Sequence, residues 1–182
     1  MDRNNHYEAA FGGYLQWHRL CHVAVDETRR SFLGERRVKS LDFVVYGAGG
    51  VKLLIDVKGR RFPGGAIEKP RRVWESWSTR EDIAGLQEWR RMFGSDYLGL
   101  LVFMYDLQPH APPAAAGEDL WTWHERRYVL RAVTINDYAK WMRPRSPRWG
   151  TVALATADFR RLARPFHEFL SPRAAAPAET PF

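Results

Sequence analysis

The feature that most limits how this chain can fold is a pair of β-prone runs, residues 40–46 and 51–58, joined by Gly47-Ala48-Gly49-Gly50. A connector this rich in glycine reaches positive φ freely, so the two runs are expected to pair as an antiparallel hairpin. Side chains alternate along a strand, which sorts each run into two sets. Leu41, Phe43 and Val45 share a face with Val51, Leu53, Ile55 and Val57; Asp42, Val44 and Tyr46 share the other with Lys52, Leu54, Asp56 and Lys58. The first face is wholly apolar and must be core. When paired numbers sum to 98, Asp42 stands opposite Asp56, with Lys58 two residues on. Leu53-Leu54-Ile55 is apolar on both faces, as a central, covered strand would be.

Carboxylates directly opposite each other in a ladder repel. A divalent cation between them removes that cost, and hard oxygen donors without thiolate suit Mg2+, with Mn2+ able to substitute. Lys58 on the same face can hold a water or a phosphate beside the metal. These are the parts for hydrolysing a phosphodiester: a Lewis acid that activates water, and a lysine that stabilises charge in the transition state. The plainer alternative is an ion pair of Asp42 with Lys58 on a solvated face.

The rest of the chain supplies a helix ahead of the hairpin, where Tyr7, Phe11, Tyr14 and His18 recur at helical spacing after Asn4 or Asn5. A short strand is expected from Cys21 to Val25, then a polar loop to Lys39. After Gly59 a basic loop carries Arg60, Arg61, Lys69, Arg71 and Arg72. Ser78 with Glu81 predicts a capping box for a helix over 78–93, stopped by Gly94. The apolar run 97–105 predicts a buried strand, and residues 108–117 a surface excursion. Strands over 128–134 and 151–155, a short helix from Asn136 or Asp137 to Trp141, and a last helix from Phe159 to Leu170 interrupted at Pro165 complete the reading. The whole is an α/β chain, with one domain over 1–170 and a disordered Ala/Pro-rich tail over 171–182.

Composition narrows the classes of function. Apolar residues make up 45% and charged residues 27% of the 182, which excludes a wholly disordered chain. Lys and Arg number 28 against 21 Asp and Glu, and a net charge of +7 points to a polyanion, nucleic acid before membrane. A lone cysteine, Cys21, allows no intrachain disulfide and no multi-cysteine zinc site, as expected in the cytoplasm. No signal-peptide pattern opens the sequence, and no apolar run approaches the roughly 20 residues of a membrane span.

On Ser40-Leu41-Asp42-Phe43 and Leu54-Ile55-Asp56-Val57-Lys58-Gly59 the sequence resembles the PD-(D/E)xK nuclease superfamily, whose first metal-binding aspartate and (D/E)-x-K strand these runs match. The resemblance implies a restriction-endonuclease-like core: a helix, a three-stranded meander, a helix and a further strand, here with C-terminal strand and helix additions. It also implies that Glu8, on the first helix, is a further metal ligand, and Phe11, Gly12 and Leu15 put Glu8 at the inward edge of that helix. The Val57 carbonyl would complete the metal shell. His6-Tyr7-Glu8-Ala9-Ala10-Phe11 is similar to the small bacterial family named for its HYExAFE motif, although Gly12 stands where the motif ends in glutamate. Asp26-Glu27 and Lys39-Ser40 look similar to it too.

The site expected is therefore Asp42, Asp56, Lys58 and Glu8 as catalytic residues, with Asp42, Asp56, Val57 and Glu8 on the metal. Arg60, Arg61, Arg71, Arg72 and Gln87 are the candidate nucleic-acid contacts, DNA before RNA, and a homodimer is left open. Glu27 is a further carboxylate that could approach the metal. His18, Cys21 and His22 lack a fourth ligand for zinc, and a capped helix end with a buried cysteine is the expectation there. Among the 8 tryptophans, Trp149 and its kin could stack on unpaired bases or fill a core or interface. The competing class is the same fold kept as a catalytically inactive module that binds nucleic acid or a protein partner.

Overall fold

The computed structural model describes residues 5–25, 32–33, 36–37 and 39–172. Its centre is a seven-stranded mixed sheet. Helix α1 (Asn5–Trp17) leads into β1 (Cys21–Ala24), β2 (Phe43–Tyr46) and β3 (Lys52–Phe62), an antiparallel meander. Helix α2 (Arg80–Phe93) then crosses to β4 (Tyr97–Leu107), which runs parallel to β3 along its full length. Strands β5 (Asp119–Trp123) and β6 (Arg126–Thr134) follow, then α3 (Ile135–Trp141), α4 (Thr156–Leu162) and the two-residue β7 (Arg164–Pro165). The strand order is β1-β2-β3-β4-β6-β5, with β7 also on β6. This is the α/β restriction-endonuclease-like core, a helix and meander joined through α2 to a further strand.

The hairpin register is Phe43 with Ile55, Val44 with Leu54, Val45 with Leu53 and Tyr46 with Lys52, so paired numbers sum to 98. Its connector is a 3-10 turn over Ala48–Gly50 in which Gly49 and Gly50 take φ of 62° and 83°. Those angles are where a Cβ would be strained.

Both faces of the sheet are covered, which explains why its central strands are apolar throughout. On one side Tyr7, Phe11, Tyr14 and Leu15 of α1, with Phe166 and Phe169, pack on Phe43, Val45, Leu53, Ile55, Val57, Val102 and Leu130. On the other, Ile83 and Leu86 of α2, Tyr138 of α3 and Phe159 of α4 pack on Val44, Leu54, Leu101, Phe103 and Val133. Leu41 joins this second cluster, not the face of Phe43, because it precedes the start of β2 and escapes strand alternation.

Two local expectations are corrected. The loop expected after Gly59 begins later: β3 continues to Phe62, and Gly64–Ala66 pairs with Lys69–Arg71 as a small hairpin. The cap of α2 is Thr79 with Asp82, not Ser78 with Glu81. The last helix is interrupted at Pro165 as expected, α4 and a 3-10 helix Phe166–Leu170 lying on either side of the point where β7 joins the sheet. Strand β5 was not expected at all; its Trp121 and Trp123 pack against the α1 cluster. Asn4, Asp26, Glu27 and the tail from 173 onward lie outside the described residues.

Candidate functional site

The site forms where β2 begins, midway along β3, and under the first turn of α2. Asp42 and Asp56 are both buried there, at 6% and 5% exposure. The main-chain amide of Val57 donates to Asp42 Oδ2 at 2.6 Å. Asp56 is held from the side: Lys58 Nζ lies 2.7 Å from Asp56 Oδ1, as i and i+2 neighbours on one strand face can. Lys58 does not pair with Asp42 as the plainer reading had it. Its second partner is Asp82 of α2, with Nζ 3.2 Å from Oδ2.

Asp82 is the residue that sequence reasoning missed. It sits at the N3 position of α2, accepts the Thr79 amide at 2.9 Å and the Ser78 hydroxyl at 2.8 Å, and pairs with Lys39. Its own amide donates to Thr79 Oγ1 at 3.0 Å, closing a reciprocal capping box. Residues 78–82, Ser-Thr-Arg-Glu-Asp, contain two overlapping boxes. The helical period separates them, because Asp82 shares the buried stripe of Ile83 and Leu86 while Glu81 is exposed.

The electrostatics follow from burial. Loss of solvent pushes the Asp42 carboxyl up to about 9, reinforced by the charge of Asp56 and, more weakly, of Glu8, against the Val57 amide and Lys58. Asp56 is raised too, chiefly by burial, with Lys58 opposing. Burial alone would lower Lys58, but Asp56 and Asp82 outweigh it and hold the ammonium charged. Asp82 goes the other way: despite burial, Lys58, Lys39 and the Thr79 amide keep it well below the ordinary carboxylate range. One carboxylate is thus neutralised by contacts and another is left strained.

Glu8 reaches this field from α1. The ring of Tyr7 before it sits against Gly59, where a Cβ would stand 2.0 Å from it, so the helix start is docked against β3 one residue beyond Lys58. The structure thus brings Asp42, Asp56 and Lys58 together with Asp82, and places Glu8 within electrostatic reach of Asp42. Val57 meets them through its amide. Among the described residues, no group of three or more His, Cys, Asp or Glu side chains is arranged to hold a metal ion. His18, Cys21 and His22 form none; Cys21 is exposed, and His22 Nδ1 is 2.9 Å from the Leu20 carbonyl oxygen.

The expected nucleic-acid contacts scatter. Arg60 is buried on β3: its guanidinium lies 3.8 Å from the Trp77 ring centre and donates to the Gly59 carbonyl at 2.6 Å and to the Trp77 carbonyl. The longer strand turns Arg60 inward, so it does not stand on a basic loop open to phosphate as the sequence predicts. Arg61, Arg71 and Arg72 are exposed, Arg71 beside Glu75 at 3.1 Å. Gln87 is exposed, beside the buried Leu86.

No family model matches the chain and no curated protein matches it. Among solved structures it is similar to Hjc of Archaeoglobus fulgidus, a Holliday junction resolvase from an archaeal hyperthermophile, with a TM-score of 0.50 and 12% identity over 92% of this chain and 99% of that one. At that identity the likeness speaks to the backbone, and it supports the restriction-endonuclease-like fold. No described helix is long and apolar enough to cross a membrane.

Proposed function

We propose that this chain binds nucleic acid, DNA before RNA, on a nuclease fold of the PD-(D/E)xK type, within which the His6-Phe11 opening supports kinship to the HYExAFE-motif family. The observation that carries the reading is the match of nearly the whole chain to a junction resolvase. The net charge of +7 agrees with a polyanionic partner. As it stands Lys58 is committed to Asp56 and Asp82, which agrees with a site that binds without turning over.

A second reading is metal-dependent phosphodiester hydrolysis, and one observation favours it: Asp42, lifted to about 9 beside buried Asp56, is a carboxylate whose charged form lacks compensation. The pair fits Mg2+ or Mn2+ by its hard oxygens, and Glu8, whose charge acts on Asp42, would be the further carboxylate. Such an ion would activate water and polarise a phosphoryl oxygen. Asp42 and Asp56 would hold it, the Val57 amide would keep Asp42 aimed, and Lys58 would turn from Asp82 toward the charge developing on phosphate.

Cleavage of plasmid, single-stranded and branched DNA with Mg2+ or Mn2+, beside binding in chelator, separates the two. Binding without cleavage supports the module. Cleavage that Lys58→Ala reduces by roughly 100-fold or more, with affinity little changed, supports the enzyme. Absence of both binding and cleavage sinks each.

A further inference from the structure

A second feature stands beside the site. Residues 143–149 run Arg-Pro-Arg-Ser-Pro-Arg-Trp with no acidic side chain. Arg143–Ser146 is a short strand on Thr151–Ala153, which pairs in turn with Ser78–Thr79 at the start of α2. The Arg80 amide donates to the Gly150 carbonyl at 3.0 Å, so the ribbon is pinned two residues from Asp82. A second tether is aromatic: the Trp77 ring meets both the guanidinium of Arg60, at 3.8 Å, and that of Arg145 of the ribbon, at 5.2 Å. Arg60 is two residues past Lys58 on the same strand face.

Little of the ribbon's charge is committed. Arg143 is 70% exposed with Asp158 no nearer than 3.8 Å, and Arg145 and Arg148 are exposed. Trp149 is 70% exposed, with the Arg148 guanidinium 5.3 Å from its ring centre. Pro144 and Pro147 restrict the backbone, and a 3-10 turn over Pro147–Trp149 closes on Gly150 at φ 56°, so the tryptophan is presented by a constrained turn. Arginines that can meet phosphates around an exposed aromatic face are the chemistry of single-strand recognition, where bases stack on rings and cations track the backbone.

We propose that residues 143–149 are a docking ribbon for nucleic acid with unpaired bases, Trp149 stacking on a base while Arg143, Arg145 and Arg148 contact the flanking phosphates. This rests on the nucleic-acid reading above and narrows it to strands that are single, frayed or branched beside the Asp42-Asp56-Lys58 site. The interior of a duplex offers the same phosphates, but its base faces are already stacked on one another.

The test is fluorescence anisotropy of a labelled 12-nucleotide single strand and a blunt duplex of equal phosphate number, in chelator, with wild type, Trp149→Ala, Trp149→Phe and the triple Arg143→Gln/Arg145→Gln/Arg148→Gln. Trp149→Ala should weaken single-strand binding by roughly tenfold or more and duplex binding far less, and Trp149→Phe should restore most of it. The triple variant should reduce the single-strand log affinity against log salt slope by about 2. Far-UV circular dichroism checks folding. Unchanged single-strand affinity in Trp149→Ala overturns the ribbon while leaving the nucleic-acid reading in place, and so does an equal loss on both DNAs. Wild type that ignores both DNAs, or that prefers poly-glutamate of matched charge, overturns the ribbon and that reading together.

Discussion

Two charged regions meet at the N-terminus of α2 and are built on opposite terms. Beneath it, Asp42, Asp56, Lys58 and Asp82 are buried and every charge acts on another. Beside it, the 143–149 ribbon holds three exposed arginines and an exposed tryptophan with loose partners. Burial makes charge a matter of folding, because a desolvated ion without its partner is costly. Exposure makes it a matter of binding, because water already satisfies it until a partner arrives. Substitutions in the two regions should therefore report on different quantities.

The largest effect is expected at Lys58. Lys58→Ala leaves Asp56 and Asp82 facing each other without the ammonium between them, a loss of about 3–5 kcal/mol when one partner of a buried pair is removed. In a chain of this length that lowers Tm by on the order of 10 °C. The deficit should shrink on acidification, since both carboxylates can then take up protons. Thermal denaturation at pH 8 and pH 5 reads both; an unchanged Tm at pH 8 would show that the cluster is solvated and the contrast false.

Asp42→Asn should act in the opposite direction. The folded pKa of Asp42, about 9, lies above its ordinary value of 3.8. The folded state therefore holds this proton more tightly, and the group's contribution to stability is full below about pH 4 and lost as pH rises toward 9. Asp56, also raised, adds in the same sense. Asp82 is depressed, so its contribution is present above the ordinary carboxylate range and is lost only in stronger acid. Without divalent ions the wild type should thus be less stable at pH 8 than at pH 5. Asp42→Asn, whose amide oxygen can still accept the Val57 amide, should raise Tm at pH 8 by several degrees and flatten that dependence. A lower Tm for the variant would mean that the ionised carboxylate is structural.

A smaller effect separates strain from function. Saturating Mn2+ should raise the wild-type Tm at pH 8 by a few degrees, as ligands that bind only the folded state do. The rise should vanish in Asp42→Asn and diminish in Glu8→Gln. An equal rise in all three would place the ion elsewhere and remove Glu8 from the site.

Much of this could be read in the sequence, for physical reasons. Strand alternation has period 2, so the apolar face of Phe43, Val45, Val51, Leu53, Ile55 and Val57 dictates the hairpin register and with it the shared face of Asp42, Asp56 and Lys58. Long-range pieces were harder. Asp82 hid because two capping boxes overlap at 78–82 and only the buried stripe of α2 chooses between them. Gly59 reads as a strand end, which misplaces Arg60 on a loop; the glycine is there for Tyr7, whose ring takes the space of a side chain. The ribbon was invisible as a unit because its position depends on Thr151–Ala153 pairing with Ser78–Thr79, a contact between segments far apart in the chain.

The smallest effect is expected in the ribbon, and it is what makes the comparison sharp. Arg145→Gln loses a guanidinium 5.2 Å from Trp77, but Arg60 covers the same ring at 3.8 Å and is buried there, so the indole keeps its closer cation. Arg148→Gln loses only an exposed neighbour of an exposed ring. Arg143→Gln gives up a contact of 3.8 Å with Asp158, which Arg161 also approaches, at 3.2 Å. Exposed pairs of this kind contribute about 0–1 kcal/mol, and the ribbon's backbone pairing does not depend on these side chains. Each single variant should therefore keep the wild-type Tm within about 2 °C at both pH 5 and pH 8. A loss approaching that of Lys58→Ala would show that the arginines brace the start of α2, and the ribbon would then belong with the buried cluster as part of the fold.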